Sequence, residues 1–141
     1  MSQLDRGTIE WTNGWHELAH DFNARRWLLI GDSVARNYRG RLQEIVAPKS
    51  IAVDFFATSY SIDDPAFFKE LQHFLSFDEY KYEMILINWG AHHGLGKSDL
   101  ENLTEYHLYK THYENLLTYV SKVQPPPMPR LVIVNTTPEV L

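Results

Sequence analysis

Arg26-Trp27-Leu28-Leu29-Ile30-Gly31-Asp32-Ser33 is the stretch whose reading decides the fold class. Its four consecutive apolar residues, 27–30, predict a short buried strand, and Gly31 ends it where the backbone has to turn. Asp32 and Ser33 then stand at the mouth of a helix predicted over 34–46, in which Val34, Tyr38, Leu42, Ile45 and Val46 mark one apolar face. A serine so placed has its hydroxyl at the carboxyl end of a strand and at the positive end of a helix dipole, where developing negative charge is stabilised. That suits a nucleophile. It suits an N-cap equally, because Asp and Ser both accept hydrogen bonds from the open amides of a first helical turn.

Working outward, strands are predicted over 50–56, 82–87 and 131–134, and helices over 65–74, with a proline in its first turn, and 103–123. The run 82–87 is nearly continuous in apolar residues, as expected of a parallel strand covered on both faces. The β-α-β-α-β-α-β alternation predicts an α/β fold, a three-layer αβα sandwich with a parallel sheet over residues 27–141. Residues 1–26 read as a polar and aromatic lead-in that packs on this domain. Trp11 and Trp15 cover a core edge, and 15–20 form one or two helical turns.

A chain of 141 residues, 44% of them hydrophobic, suits one globular domain. The net charge of −5 and the scattering of the 13 basic residues leave no electrostatic footprint for nucleic acid. The absence of cysteine excludes disulfides, thiolate zinc sites and cysteine nucleophiles. No leader pattern opens the sequence, and no apolar run nears the roughly 20 residues needed to span a bilayer. The chain therefore reads as soluble and cytoplasmic, with no membrane partner.

In parallel sheets ligands bind beyond the carboxyl ends of the strands. Those ends carry Gly31-Asp32-Ser33, Ser59-Tyr60-Ser61, the loop from Asn88 through Trp89, Gly90 and Ala91 to His92 and His93, and Asn135-Thr136-Thr137. Acyl transfer by serine needs a nucleophile, a base and oxyanion donors. Ser33 is the candidate nucleophile. Its backbone amide, the Asn88 side chain and the Gly90 amide are candidate oxyanion donors. His92 and His93 lie in a site loop, although sequence neighbours point apart and loop histidines are commonly solvated. Asp32, Ser59 and Ser61 are candidate substrate-binding groups, with turn formation the plainer role for the serines. Trp89 is suited to stack on a sugar, wall an acyl pocket or pack in the core.

A second arrangement competes. His16-Glu17-Leu18-Ala19-His20 matches H-E-x-x-H, which on a helix sets two zinc ligands on one face with a glutamate as base, and Glu44 is the only reasonable third ligand. Its context is poor, because it precedes the first predicted strand and no sustained apolar helix carries it. The stripe Tyr106, Tyr109 and Tyr113, with Phe67, Phe68 and Phe74, reads as core surface.

Leu28-Leu29-Ile30-Gly31-Asp32-Ser33-Val34 resembles the first block of the SGNH, or GDSL-type, hydrolases, and Ile85-Leu86-Ile87-Asn88-Trp89-Gly90-Ala91-His92 is similar to their third block in its N-x-G-x-H form. Ala57-Thr58-Ser59-Tyr60-Ser61 and Val134-Asn135-Thr136-Thr137-Pro138 fall in the matching order at strand ends. The resemblance implies a flavodoxin-like sandwich and an esterase that removes acetyl or another short acyl group from a carbohydrate or small ester. It implies no cofactor and no metal. Ser33 would be the nucleophile, with Asn88 and the Ser33 and Gly90 amides as oxyanion donors. The sequence departs from the family twice. Residues 50–65 contain no glycine for the second-block donor, and no Asp-x-x-His block follows a fifth strand before Leu141. An incomplete hydrolase, with its C-terminal strand, helix and catalytic Asp and His beyond Leu141, is the expectation. A shortened relative using His92 or His93, an inactive binding domain, and a zinc hydrolase through His16, Glu17 and His20 are the alternatives.

Overall fold

The computed structural model of the protein describes residues 6–88, 103–123 and 127–134. Among these residues five strands, β1 (Thr12–Trp15), β2 (Arg25–Gly31), β3 (Ile51–Thr58), β4 (Met84–Asn88) and β5 (Arg130–Ile133), form one sheet in the order β1-β3-β2-β4-β5. β2, β3, β4 and β5 are parallel, and β1 adds an antiparallel edge. Among the described residues three α-helices accompany them: α1 (Ser33–Val46), α2 (Pro65–Phe74) and α3 (Leu103–Val123). Among the described residues no helix is long and apolar enough to cross a membrane.

Strand alternation divides the core into two layers. Leu29, Val53, Phe55 and Ala57 face α1, through Ala35, Tyr38, Leu42 and Val46. Leu28, Ile30, Phe56, Ile85 and Ile87 face the other way, onto Phe67, Leu71 and Phe74 of α2 and Leu116 and Val120 of α3. The chain steps from β2 to β3 in one direction with α1 on one face. It then reverses past β2 to β4 and on to β5, with α2 and α3 on the other face. A reversal of direction that also changes face keeps every crossover of one hand, as parallel connections require. The helix-sheet-helix layering expected from the alternation is therefore present.

Two details of the helix faces depart from the spacing. Val34 and Ile45 are exposed, so the buried stripe of α1 is narrower than its apolar residues suggest. Of the tyrosine stripe, Tyr113 packs against the core with Phe67, Phe68 and Phe74, while the side chains of Tyr106 and Tyr109 lie outside the described residues.

The lead-in differs from its reading. Residues 12–15 are a strand of the sheet, paired from Thr12 with Thr58 to Trp15 with Phe55, so the sheet is not purely parallel. A four-residue strand with polar and glycine positions carries too short a period-2 signal to stand out from a loop. Trp11 and Trp15 do pack at a core edge. Their indoles meet arginines of α1, with the Arg36 guanidinium 4.2 Å from the Trp11 ring centre and that of Arg39 3.6 Å from Trp15. β1 covers only the carboxyl-terminal half of the β3 edge. Before it Gln43 of α1 takes over, accepting from the Val53 amide at 2.7 Å and donating to the Ile51 carbonyl at 3.0 Å, which closes that part of the edge to other strands.

The strands also run to different limits from those predicted. β2 begins two residues earlier, at Arg25, and includes Gly31. β3 runs on to Thr58 and starts after Ser50, whose φ of 58° belongs to the left-handed region and closes the turn from α1. β4 starts at Met84, and β5 ends at Ile133.

A buried ion pair joins β2 to β3 on the sheet face that carries α2 and α3. Arg26 and Asp54 are both fully buried, with guanidinium Nη1 2.8 Å from Asp54 Oδ1. Asp54 also accepts from the Glu17 amide at 3.0 Å and the Tyr82 hydroxyl at 2.8 Å, and its Oδ2 is 2.7 Å from His16 Nδ1. Arg26 donates further to the Glu17, Leu18 and Asp21 carbonyls at 2.6, 2.7 and 2.8 Å, and lies 4.5 Å from the Tyr80 ring centre. A charge taken out of water is tolerated when it is paired and hydrogen-bonded, as both are here.

Arg26→Leu leaves Asp54 buried without its counterion, and is expected to cost about 3–5 kcal/mol in urea unfolding, whereas Arg26→Leu with Asp54→Leu recovers part of that loss. Additive losses in the double variant would show that the two side chains are not coupled.

Candidate active site

The site is built where the winding reverses. β2 lies between β3, reached in one direction, and β4, reached in the other, and such a reversal point is where sheets of this kind place ligand sites, beyond the carboxyl ends of the strands. Gly31, the last residue of β2, pairs with Asn88, the last residue of β4. Gly31 serves a close approach rather than the sharp turn expected of it. A Cβ there would fall 2.6 Å from the Asn88 carbonyl oxygen and against the Ala35 Cβ, so only glycine lets β4 and the first turn of α1 meet over this position.

Of the two capping candidates, Asp32 caps. It is buried, with extended backbone, and its Oδ1 accepts from the Val34 amide at 3.0 Å. Ser33 is the first residue of α1 and is half-buried. The N-cap carboxylate thus meets one open amide of the first turn, and the serine is carried just beyond the end of β2. Asp32, a candidate substrate contact in the sequence, has this structural role.

Asn88 reaches the α1 side of the sheet and is 2% exposed. Its Nδ2 donates to the Tyr38 hydroxyl oxygen at 2.7 Å, and its Oδ1 is buried with no hydrogen-bond partner among the described residues. Burial raises the Tyr38 phenol pKa against the opposing effect of the Asn88 bond, with a smaller push upward from the charge of Asp32, so the hydroxyl keeps its proton at ordinary pH. Tyr38 reads in the sequence as one residue of an apolar helix face. Nothing local marks its hydroxyl as a partner for Asn88, since the two are 50 residues apart.

The remaining sequence candidates divide. The Ser59 hydroxyl accepts from the Trp11 amide at 2.9 Å and donates to Glu10, so Ser59 fastens the lead-in to the end of β3. The Ser61 hydroxyl donates to Asp63 in the turn before α2. Trp89, Gly90, His92 and His93 lie outside the described residues, as do Asn135, Thr136 and Thr137. Ser33, Asp32, Asn88 and Tyr38 are gathered at the β2 and β4 ends, whereas Ser59 and Ser61 follow β3 with other tasks.

The H-E-x-x-H stretch is not helical, which removes the geometry the zinc reading needs. It follows the end of β1, and Leu18 at its centre has a φ of 47°, a left-handed value foreign to a right-handed helix. His16 is held by Asp54 and stacked between Phe74 and Tyr80, with ring centres 4.5 and 4.1 Å away. Glu44 is engaged with Arg41 at 2.9 Å. Among the described residues no group of three His, Cys, Asp or Glu side chains is arranged to hold a metal ion. The signal that could have revealed the His16 environment is Asp54, a lone charge in an otherwise apolar strand, which requires a buried partner.

At the start of α2, Asp64 accepts from the Ala66 amide at 2.9 Å and from Arg6 at 2.7 and 2.9 Å. Compared with family models and with curated proteins, the chain matches none.

Gly31→Ala forces β4 or α1 to shift and is expected to destabilise the protein by about 1–3 kcal/mol in urea unfolding; an unchanged midpoint would contradict the close approach. The Arg6 hydrogen bond, above all, holds the Asp64 carboxyl below its ordinary value. Its contribution is complete above the unfolded carboxylate pKa and is lost as pH falls through the lower folded value. Asp64→Asn should therefore narrow the difference in melting temperature between neutral and acid solution. A profile identical to that of the parent protein would rule this out.

Proposed function

We propose that the protein is a serine ester hydrolase of the SGNH type, on a flavodoxin-like sandwich, with Ser33 as nucleophile. Its substrate is an acetyl or other short-acyl ester of a carbohydrate or small alcohol. The observation that carries this reading is the pairing of Gly31 with Asn88. Two segments singled out for their likeness to the first and third SGNH blocks, distant in the chain, end side by side at the reversal point of the sheet. There Ser33 has the amino end of α1 and its own amide for the developing oxyanion, and Asn88 supplies a buried carboxamide.

In this reading the Ser33 hydroxyl oxygen attacks the ester carbonyl, its proton passes to a general base, and the alcohol leaves as the acyl-serine forms; water then releases the acid. The base is a histidine outside the described residues, with His92 and His93 the candidates in this sequence. The mostly parallel sheet with helices on both faces supports the fold half of the reading, because sheets of this kind bind ligands beyond the strand ends, where Ser33 and Asn88 stand.

A fluorophosphonate probe, which reports an activated serine by covalent capture, should label the protein at Ser33, and Ser33→Ala should abolish the labelling. Absence of label on the parent protein would sink the esterase reading and leave a binding domain with the same strand ends.

A further inference from the structure

We propose that the outer edge of β5 is a self-association surface: two copies of the chain pair their β5 strands antiparallel about a two-fold axis at Val132, continuing one sheet through both. β5 ends one side of the sheet and, among the described residues, is hydrogen-bonded along its inner edge alone. The Arg130 and Val134 amides donate to the Glu83 and Ile87 carbonyls, each at 2.9 Å, so by the alternation of a strand Val132 also faces β4. Leu131 and Ile133 then turn their amides and carbonyls outward, where they have no partner among the described residues. Unpaired backbone groups in a row are a template for another strand. Side chains that commonly blunt such an edge are missing from 130–133, which contain no lysine, no proline and no acidic residue. The other edge strand, β1, differs: its exposed positions are Asn13 and Gly14, whereas β5 exposes Arg130 and Ile133, the latter at 54%.

The occupant is a second copy because the edge is complementary to itself. In the two-fold register Leu131 exchanges both backbone bonds with Ile133 of the second copy, Ile133 does the same with Leu131 of the second copy, and Val132 meets its own equivalent between them. Every outward donor and acceptor of 131–133 is then used. A slip toward the amino end brings in Pro129, which has no amide proton to give, and a slip the other way runs past the end of β5. The side chains agree with this register. Leu131 packs into the α2 and α3 layer of the core, and Ile133 lies on the same face because alternate residues of a strand share a face. The exposed Ile133 of each copy is therefore set against the half-buried Leu131 of the other as a cross-strand apolar pair. On the opposite face Val132 stands beside Leu86, its partner in β4, so the two valines extend an apolar strip already begun. Arg130 falls opposite Val134, and no like charges meet. Two-fold pairing closes on itself and so gives a dimer rather than a fibre, and strands of four residues keep it dependent on concentration. β4 stands between β5 and β2, the strand that leads to Ser33, so the association is independent of the serine reading.

Sedimentation equilibrium of the 141-residue chain should show the weight-average mass rising with concentration from 16.5 kDa toward twice that value. Ile133→Lys sets a charge into the apolar pair while keeping the bonds to β4, and is expected to weaken self-association by at least about 10-fold, with the melting temperature in dilute solution unchanged. Ile45→Lys, at an exposed apolar position of α1, should leave association alone. The register is read with cysteine, which the chain lacks. Equivalent residues at 132 come about 4.5 Å apart at their Cα atoms, within disulfide range, so Val132→Cys should cross-link to a covalent dimer on mild oxidation and Ile133→Cys should not. A chain that stays at 16.5 kDa at every concentration overturns the proposal. Protection of the Leu131 and Ile133 amides from hydrogen exchange in that monomer would assign the edge to another segment of the chain, and free exchange would leave it to a strand from a different protein. A dimer that survives Ile133→Lys and does not cross-link through Val132→Cys also overturns it, by placing the contact elsewhere.

Discussion

Arg26 and Asp54 form a buried ion pair, 2.8 Å between its closest atoms, on which the amino-terminal part of the fold depends. Arg26 also donates to three carbonyls of residues 17–21, and Asp54 takes the Glu17 amide and the Tyr82 hydroxyl. A segment that carries little apolar surface of its own, including Leu18 in a left-handed conformation, is thereby bound to the sheet. Desolvating two charges is expensive, so such a pair persists only where the polar groups around it are drawn into the same network. That demand is what turns the lead-in from an appendage into part of the domain, with β1 completing the sheet edge beside it.

A second constraint acts at the other end of the strands. Gly31 lets β4 and the first turn of α1 approach more closely than any side chain would permit. Because α1 starts at Ser33 and carries Tyr38, the same contact relates the serine, the tyrosine and Asn88 to one another. The two ends of the sheet are thus separated in task. The polar network of Arg26 and Asp54 holds the lead-in to the sheet, and the small cluster around Gly31 stands at the reversal point of the strand order. His16 illustrates the division: it has an Asp partner, as a catalytic histidine would, yet it is stacked between two aromatic rings on the Arg26 side.

The architecture was legible where periodicity was long. The apolar run at 27–30 and the nearly continuous one at 82–87, followed by helices with apolar faces, sufficed for parallel strands and alternating layers. Short and polar elements were not legible: Thr12-Asn13-Gly14-Trp15 has no pattern of its own and becomes a strand because the exposed edge of β3 offers it partners. The candidate site was legible in its residue types at strand ends, and Ser33 and Asn88 were both singled out. Their division of labour was not. Asp32 and Ser33 are equivalent as capping residues until the backbone decides whether carboxylate or hydroxyl faces the Val34 amide, and Ser59 looked available until the lead-in folded across it.

What the sequence determined by itself was the order of the four parallel strands and the helices between them, and the positions where polar groups collect, because these follow from local spacing and from the chain's own chemistry. What only the tertiary structure decided was pairing. H-E-x-x-H is a zinc motif on a helix and loses that meaning once Leu18 breaks the helix and Asp54 claims His16. Tyr38 is a core tyrosine until β4 delivers Asn88 to its hydroxyl. The physical reason is common to both: the energy of a buried polar group depends on the partner that long-range folding brings to it, and no spacing along the chain encodes a partner 38 or 50 residues away.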